Sequence, residues 1–285
     1  MTVDTVPETI LSVRDLETEF LTDEGTITVL KGVSFDVKAG QTLGLVGESG
    51  CGKSVTSMSV LGLLPQPYGR VTGGKVLYRG TDLLRLPAEQ WHTMRGNHIS
   101  IIFQDPMTAL NPVHSIGKQL DEVLVLHRPD LRKKERCQYA LEMLEKVRIP
   151  QPEKRMNEYP HNLSGGMRQR VMIAMALACK PDILICDEPT TALDVTVQAS
   201  ILELMLDLQQ ETGMAMIFIT HDLGVVAEIC DDVAVMYDGR IVEYADVFSL
   251  FDHPQHPYTE TLLSLMPGIN KPAKQMIDIK PYNPE

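Results

Sequence analysis

Long apolar runs are missing from this sequence. No stretch reaches the roughly 18 to 20 uninterrupted apolar residues of a membrane-crossing helix, so direct membrane insertion is not expected. Paired cysteines are missing too. The five cysteines, Cys51, Cys137, Cys179, Cys186 and Cys230, form no C-x-x-C pair and no metal-binding spacing, which argues against a disulfide scaffold and fits a reduced compartment. The opening Met1-Thr2-Val3-Asp4 lacks the basic and apolar regions of a secretory signal. Positive charge is short: 26 Lys and Arg against 38 Asp and Glu leave a net charge of −12. A nucleic-acid binder needs a basic face, as does a protein that adheres to anionic lipid, so neither class is expected. There is no internal repeat and no low-complexity tract.

What is present is an α/β rhythm in a chain of 285 residues, long enough for one large core with an inserted or appended subdomain. Its centre is TLGLVGESGCGKS at residues 42–54. A buried-strand pattern runs into Gly47, Glu48, Ser49, Gly50, Cys51, Gly52, Lys53 and Ser54, which fit G-x-x-x-x-G-K-[ST] at every fixed position. Glycines allow successive backbone N–H groups to turn inward into an anion-binding nest, where a Cβ would obstruct both the turn and the approach of phosphate. The apolar pattern resumes at Val55, Met58 and Leu61, predicting a helix from about Gly52 whose positive N-terminal end faces the anion. Lys53 reaches β- and γ-phosphates in such a loop, and the Ser54 hydroxyl is placed to ligate Mg²⁺.

Alternating apolar residues at 10–16 and 28–37, punctuated by Gly25 and Gly40, predict strands ahead of the loop, and 75–78 predicts another. HISIIF at 98–103 is an apolar strand ending at Gln104, with a turn at Asp105-Pro106. From there to about residue 180 the pattern is helical. Cys137, Leu141, Leu144 and Val147 recur at i, i+4, i+7 and i+10 and predict one amphipathic helix with those four on its apolar face. A strand at 183–186, a helix at 195–210 and a strand at 214–220 then restore the alternation that implies a parallel sheet. Asp238-Gly239 between two apolar runs is a hairpin signal. The Pro- and Lys-rich tail from Pro267 is expected to be loosely ordered.

Two further groups carry chemistry. The apolar run 183–186 delivers Asp187 and Glu188 to a strand's C-terminal end, where parallel sheets bind ligands. Asp187 can hold Mg²⁺, directly or through water, while Glu188 faces an attacking water as general base. The run LSGGM at 163–167 precedes a helix expected over roughly 166–179. Ser164 is a suitable N-cap, and Gly165 and Gly166 leave the first N–H groups open to a second anion.

Taken in order, the phosphate loop, Gln104, residues 163–167, Asp187-Glu188, Thr191-Ala192-Leu193-Asp194 and His221 resemble the nucleotide-binding subunits of ATP-binding cassette (ABC) transporters. The resemblance implies a P-loop NTPase core with a parallel sheet, an N-terminal antiparallel β layer and an inserted helical subdomain. The cassette is expected over residues 8–267, with the helical subdomain at roughly 105–180 and a tail or linker at 268–285. ATP and Mg²⁺ are the implied ligands. Gln104 matches the glutamine that senses Mg²⁺ and the attacking water, and His221 the histidine that contacts the γ-phosphate. Ser164, Gly165 and Gly166 match the signature that closes over ATP bound by the opposite subunit, and Asp194 matches the loop that communicates across the dimer. Phe20 is the candidate adenine-stacking ring, and Val55 completes the nucleotide-binding set. Met167 departs from the glutamine carried by many members, at a position whose phosphate contacts come from the serine and glycines.

The stretch QDPMTALNP at 104–112, Tyr159-Pro160-His161 and HPYT at 256–259 resemble importers of the dipeptide, oligopeptide and glutathione type. That implies an ATPase paired with a second cassette, a copy or a paralogue, beneath two membrane permeases at the cytoplasmic face of the inner membrane, with a substrate-binding protein acting indirectly. No nucleic-acid partner is implied. No iron–sulfur cluster is expected either, because no cysteine follows Cys230. A natural short form, a truncation and the first half of a tandem ATPase all remain open, as do nickel or another small solute as cargo and a soluble ABC ATPase outside transport.

Overall fold

The computed structural model describes residues 8–105, 109–191 and 193–266. The expectations for Pro106, Met107, Thr108, Ala192 and the tail from Pro267 lie outside the described residues. The chain divides into two compact units, one built on residues 85–217 and one on 9–84 with 218–266.

In the discontinuous unit, β1 (Thr9–Thr22) pairs antiparallel with β2 (Gly25–Lys38) and β4 (Gly69–Tyr78), and short β5 (Thr81–Asp82) extends the sheet in the order β2-β1-β4-β5. Leu11, Val13, Leu16 and Thr18 of β1 are buried. The register slips between Val13 and Leu16, where Asp15 sits at φ 47. That bulge restores the inward phase of Leu16 and Thr18. Both strands extend past their predicted ends because Glu17 and Glu19, which break the apolar alternation, still make ladder pairs with β2 and β4. The Thr18 hydroxyl is hydrogen-bonded to that of Ser59, 2.9 Å away, tying β1 to the Lys53–Val60 helix.

The same unit holds β3 (Thr42–Val46), buried at every residue and parallel to β9 (Asp232–Tyr237). Strand β9 turns at Asp238-Gly239 into antiparallel β10 (Arg240–Asp246), the hairpin expected from sequence. Both turn residues have positive φ, 43 and 75 respectively, as a type I′ turn requires. Strand order in this unit is β10-β9-β3, and the division between the units falls within β8 (Ala215–Thr220), after Ile217.

In the continuous unit, β6 (Ile99–Ile102) runs parallel to β7 (Ile183–Asp187), with helices at Ile116–His127, Lys133–Lys146, Gly165–Leu177 and Val195–Thr212. The α/β class, the antiparallel N-terminal layer and the helical insertion are all borne out. One helix face is corrected. In Lys133–Lys146 the buried residues are Ala140, Met143 and Leu144, followed by Val147, while Cys137 is exposed and Leu141 half-buried. The helix packs against Ile116–His127 and Gly165–Leu177, and Met143 is among the side chains it buries. Hydropathy spacing admitted either stripe, because residues 140, 143 and 144 also lie one turn apart.

Leu144→Ala should therefore lower unfolding stability by about 2–5 kcal/mol, whereas Cys137→Ala should stay within about 0.5 kcal/mol of the parent, as read from denaturant midpoints.

Candidate active site

Strand β3 feeds the phosphate loop directly. Gly47, Gly50 and Gly52 all adopt positive φ, 154, 85 and 110. At Gly47 a Cβ would lie 2.2 Å from the Met236 carbonyl oxygen, and at Gly52 one would lie 2.9 Å from Leu30 Cδ2. Glycine is thus demanded twice at these positions, by backbone angle and by close approach. The Lys53–Val60 helix starts next, and Gly52 supplies no side-chain cap to its first N–H groups. Lys53 is 5% exposed and donates from Nζ to the carbonyls of Gly47 (2.7 Å) and Glu48 (2.8 Å). Cys51 packs beneath the loop; burial, only partly countered by nearby Lys53, pushes its thiol above the usual range. Glu48, Ser49 and Gly50 are exposed, and Ser54 and Val55 half-buried.

His221 follows β8 and is exposed. The Thr220 hydroxyl accepts from the Asp222 N–H at 3.0 Å, and Asp222 in turn accepts from the Gly224 N–H at 2.9 Å, fixing the turn that carries His221. A cavity of about 620 Å³ brings His221 alongside Gly47 and Glu48, with Leu262 and Leu265 on its wall. Phe20 pairs with Ile27 and Gly69, and its Cε1 lies 3.0 Å from where a Gly69 Cβ would stand.

The other candidates belong to the continuous unit. Strand β7 is buried throughout and ends at Asp187, itself 4% exposed. Glu188 follows at φ 46, a left-handed conformation costly for a side-chain-bearing residue and one that turns its carboxylate off the strand line. Its Oε2 accepts from Gln104 Nε2 at 2.9 Å and from the Thr191 hydroxyl at 3.0 Å. The Gln104–Glu188 pairing unites two expected site residues. The sequence places Thr191 only within the loop motif; its position three residues after Glu188 is the signal for this contact.

Ser164 caps the Gly165–Leu177 helix, accepting from the Met167 N–H, and the helix begins one residue earlier than expected. A Cβ on Gly166 would approach Val197 Cγ1 to 2.7 Å, so this glycine serves close packing against the Val195–Thr212 helix. Asp194 caps that helix, accepting from the Val197 N–H at 2.9 Å.

Residues 30–191 match the ABC transporter family, and residues 242–285 match the oligopeptide/dipeptide transporter C-terminal region. The chain belongs to the ABC transporter family. It is 57% identical over 258 residues to a probable peptide ABC transporter ATP-binding protein, y4tR, of Sinorhizobium fredii, covering 90% of this chain and 77% of the relative. It is 51% identical over 278 residues to the dipeptide transport ATP-binding protein DppD of Bacillus subtilis, covering 98% and 83%. Among solved structures, the bacterial ABC transporter cassette MJ0796 is similar as a dimer, with TM-score 0.72, 28% identity and coverage of 83% and 98%. The same cassette in a post-hydrolysis dimer bound to ADP and Pi gives TM-score 0.73 over the same shares. This ABC chain is accordingly an ATPase.

Gly47→Ala should abolish MgATP binding in titration calorimetry, because the added methyl forces the loop off the Met236 carbonyl.

Proposed function

We propose that this ABC chain hydrolyses MgATP as the motor subunit of a peptide importer. The observation that carries the hydrolytic part is the Glu188 carboxylate held by Gln104 and Thr191 just past Asp187. The peptide part rests on the family match at 242–285 and on relatives named for peptide, dipeptide and oligopeptide transport.

Backbone N–H groups of the loop from Gly47 to Ser54 and the Val55 amide cradle the phosphates, and Phe20 stacks on adenine. Lys53 leaves the Gly47 and Glu48 carbonyls to contact the β- and γ-phosphates, exchanging neutral acceptors for anionic ones. The donor set suits Mg²⁺: Ser54, Asp187 and Gln104 offer hard oxygen atoms, and this ion is ordinarily held by one or two protein oxygens with phosphates and water. Ser54, Asp187 and Gln104 would hold it. Bound there, it would supply charge neutralisation to the phosphates. Glu188 takes a proton from the water that attacks the γ-phosphorus; the new P–O bond forms as the bond to the β-phosphate oxygen breaks, yielding ADP and phosphate. Gln104 orients that water, and His221 contacts the γ-phosphate.

Ser164, Gly165 and Gly166 cover ATP held by a partner cassette, with Asp194 communicating between the two, a reading supported by the dimeric solved relatives. The cassette spans residues 8–267, with a helical subdomain at roughly 105–180 and a tail or linker after it. Two permease subunits supply the channel and hold this subunit at the cytoplasmic membrane face, a reading supported by the relatives named as ATP-binding proteins of peptide transport; among the described residues no helix is long and apolar enough to cross a membrane. Phe103 and Val113, exposed at 39% and 74% on either side of residues 104–112, give those permeases an apolar docking surface.

Glu188→Gln keeps the side chain's shape and loses the base. It should bind MgATP near parent affinity and turn over at least about 100-fold more slowly, with a stable MgATP dimer on gel filtration; parental turnover would remove Glu188 from this role. Val113→Glu should leave basal ATPase intact and abolish its stimulation by the assembled transporter with loaded binding protein. Peptide selection belongs to the substrate-binding protein and the permeases, and saturable peptide binding to this chain alone would contradict that reading.

A further inference from the structure

The HPYT run at 256–259 carries no phosphate, metal or water chemistry in the reading above, yet three of its residues have defined structural work. His256 caps the Pro257–Ser264 helix, its Nδ1 accepting from the Tyr258 N–H at 3.2 Å, and Pro257 occupies the first helical position. Glu243 on β10 accepts from the N–H groups of Gln255 (2.8 Å) and His256 (3.0 Å), fastening the helix start to the hairpin. These bonds aim Tyr258 inward. It is 1% exposed, its ring tilted 52° against Tyr237 of β9 with centroids 4.5 Å apart.

The Tyr258 hydroxyl accepts from the Glu48 N–H at 3.0 Å. That N–H belongs to the same peptide unit as the Gly47 carbonyl, which receives Lys53 Nζ at 2.7 Å. One peptide plane is therefore pinned at both ends, by the lysine ammonium on its oxygen and by a buried tyrosine on its nitrogen. The two bonds reinforce each other, since a cation on the carbonyl polarises the N–H into a better donor. Burial also pushes the Tyr258 phenol up to about 12, so it stays a neutral hydroxyl at neutral pH.

We infer that Tyr258 is a positioning residue for ATP binding: its hydroxyl fixes the Gly47–Glu48 peptide plane, presetting the phosphate loop and the resting place of Lys53 from the chain's C-terminal region. The inference rests on the phosphate-loop reading. Without the hydroxyl this peptide can rotate, and the loop must be reordered whenever nucleotide binds. That cost falls equally on bound substrate and transition state, so it appears in KM and not in kcat.

The test compares Tyr258→Phe with Thr261→Val. The second variant removes a hydroxyl from the same helix that bonds only locally, to the Pro257 carbonyl at 2.9 Å. Tyr258→Phe should raise the MgATP Kd and KM about fivefold, the worth of one net hydrogen bond, with kcat within about twofold of the parent. Its nucleotide-free melting temperature should stay within about 3 °C of the parent. Thr261→Val should change none of these. Amide hydrogen exchange gives the direct readout: Glu48 should be protected in the unmodified chain and should exchange at least about tenfold faster in Tyr258→Phe. Unchanged Kd and KM in Tyr258→Phe overturn the inference, as does an equal loss in Thr261→Val or a loss confined to kcat. If Tyr258→Phe does not fold, an unprotected Glu48 amide in the unmodified chain overturns it and a protected one supports it. Failure of the unmodified chain to bind MgATP would strike the phosphate-loop reading instead, while the Glu48 amide still judges the Tyr258 contact.

Discussion

A lysine ammonium, 5% exposed, sits inside the phosphate loop, and much of the discontinuous unit follows from the need to satisfy it. Taking that charge out of water costs several kcal/mol unless strong acceptors replace the lost solvent. The Gly47 and Glu48 carbonyls do so, and they converge on Lys53 Nζ only because the loop curls through three glycines at positive φ. The curl requires the β9 backbone within touching distance of Gly47, so β9 must run beside β3. The Asp238-Gly239 turn then brings the Gly239 N–H to the Cys51 carbonyl at 3.0 Å.

In the continuous unit the corresponding constraint is on a carboxylate's direction. Strand β7 is buried at every residue, and a straight continuation would carry Glu188 along the strand axis. The left-handed backbone at Glu188 redirects it, and the donors Gln104 and Thr191 hold the result. Strain of this kind persists where surrounding bonds over-determine it, as they do here. The glycine signature obeys a different rule. Gly166 is needed for packing on Val197, while a Cβ at Gly165 would meet only ordinary contact, Leu193 Cδ2 at 3.8 Å. Of this pair, only Gly166 is required by close packing.

The sequence by itself determined everything whose physics is local. This phosphate-loop pattern needs glycines at fixed spacing followed by lysine and a hydroxyl, so eight consecutive residues suffice to declare it. Strand β7 ending in Asp187-Glu188, the Ser164 cap and the Asp238-Gly239 turn were legible for the same reason, each depending on neighbours within four residues. Only the tertiary structure decided which face of Lys133–Lys146 is buried, because two stripes satisfy one helical period and the packing of neighbouring helices selects between them. It also decided that Gln104 meets Glu188 across 84 residues of chain and that Tyr258 meets Glu48 across 210. Such pairs leave no periodicity and no spacing in the sequence; hydrogen bonds between distant segments exist only once strand order and helix packing have placed the two groups within about 3 Å.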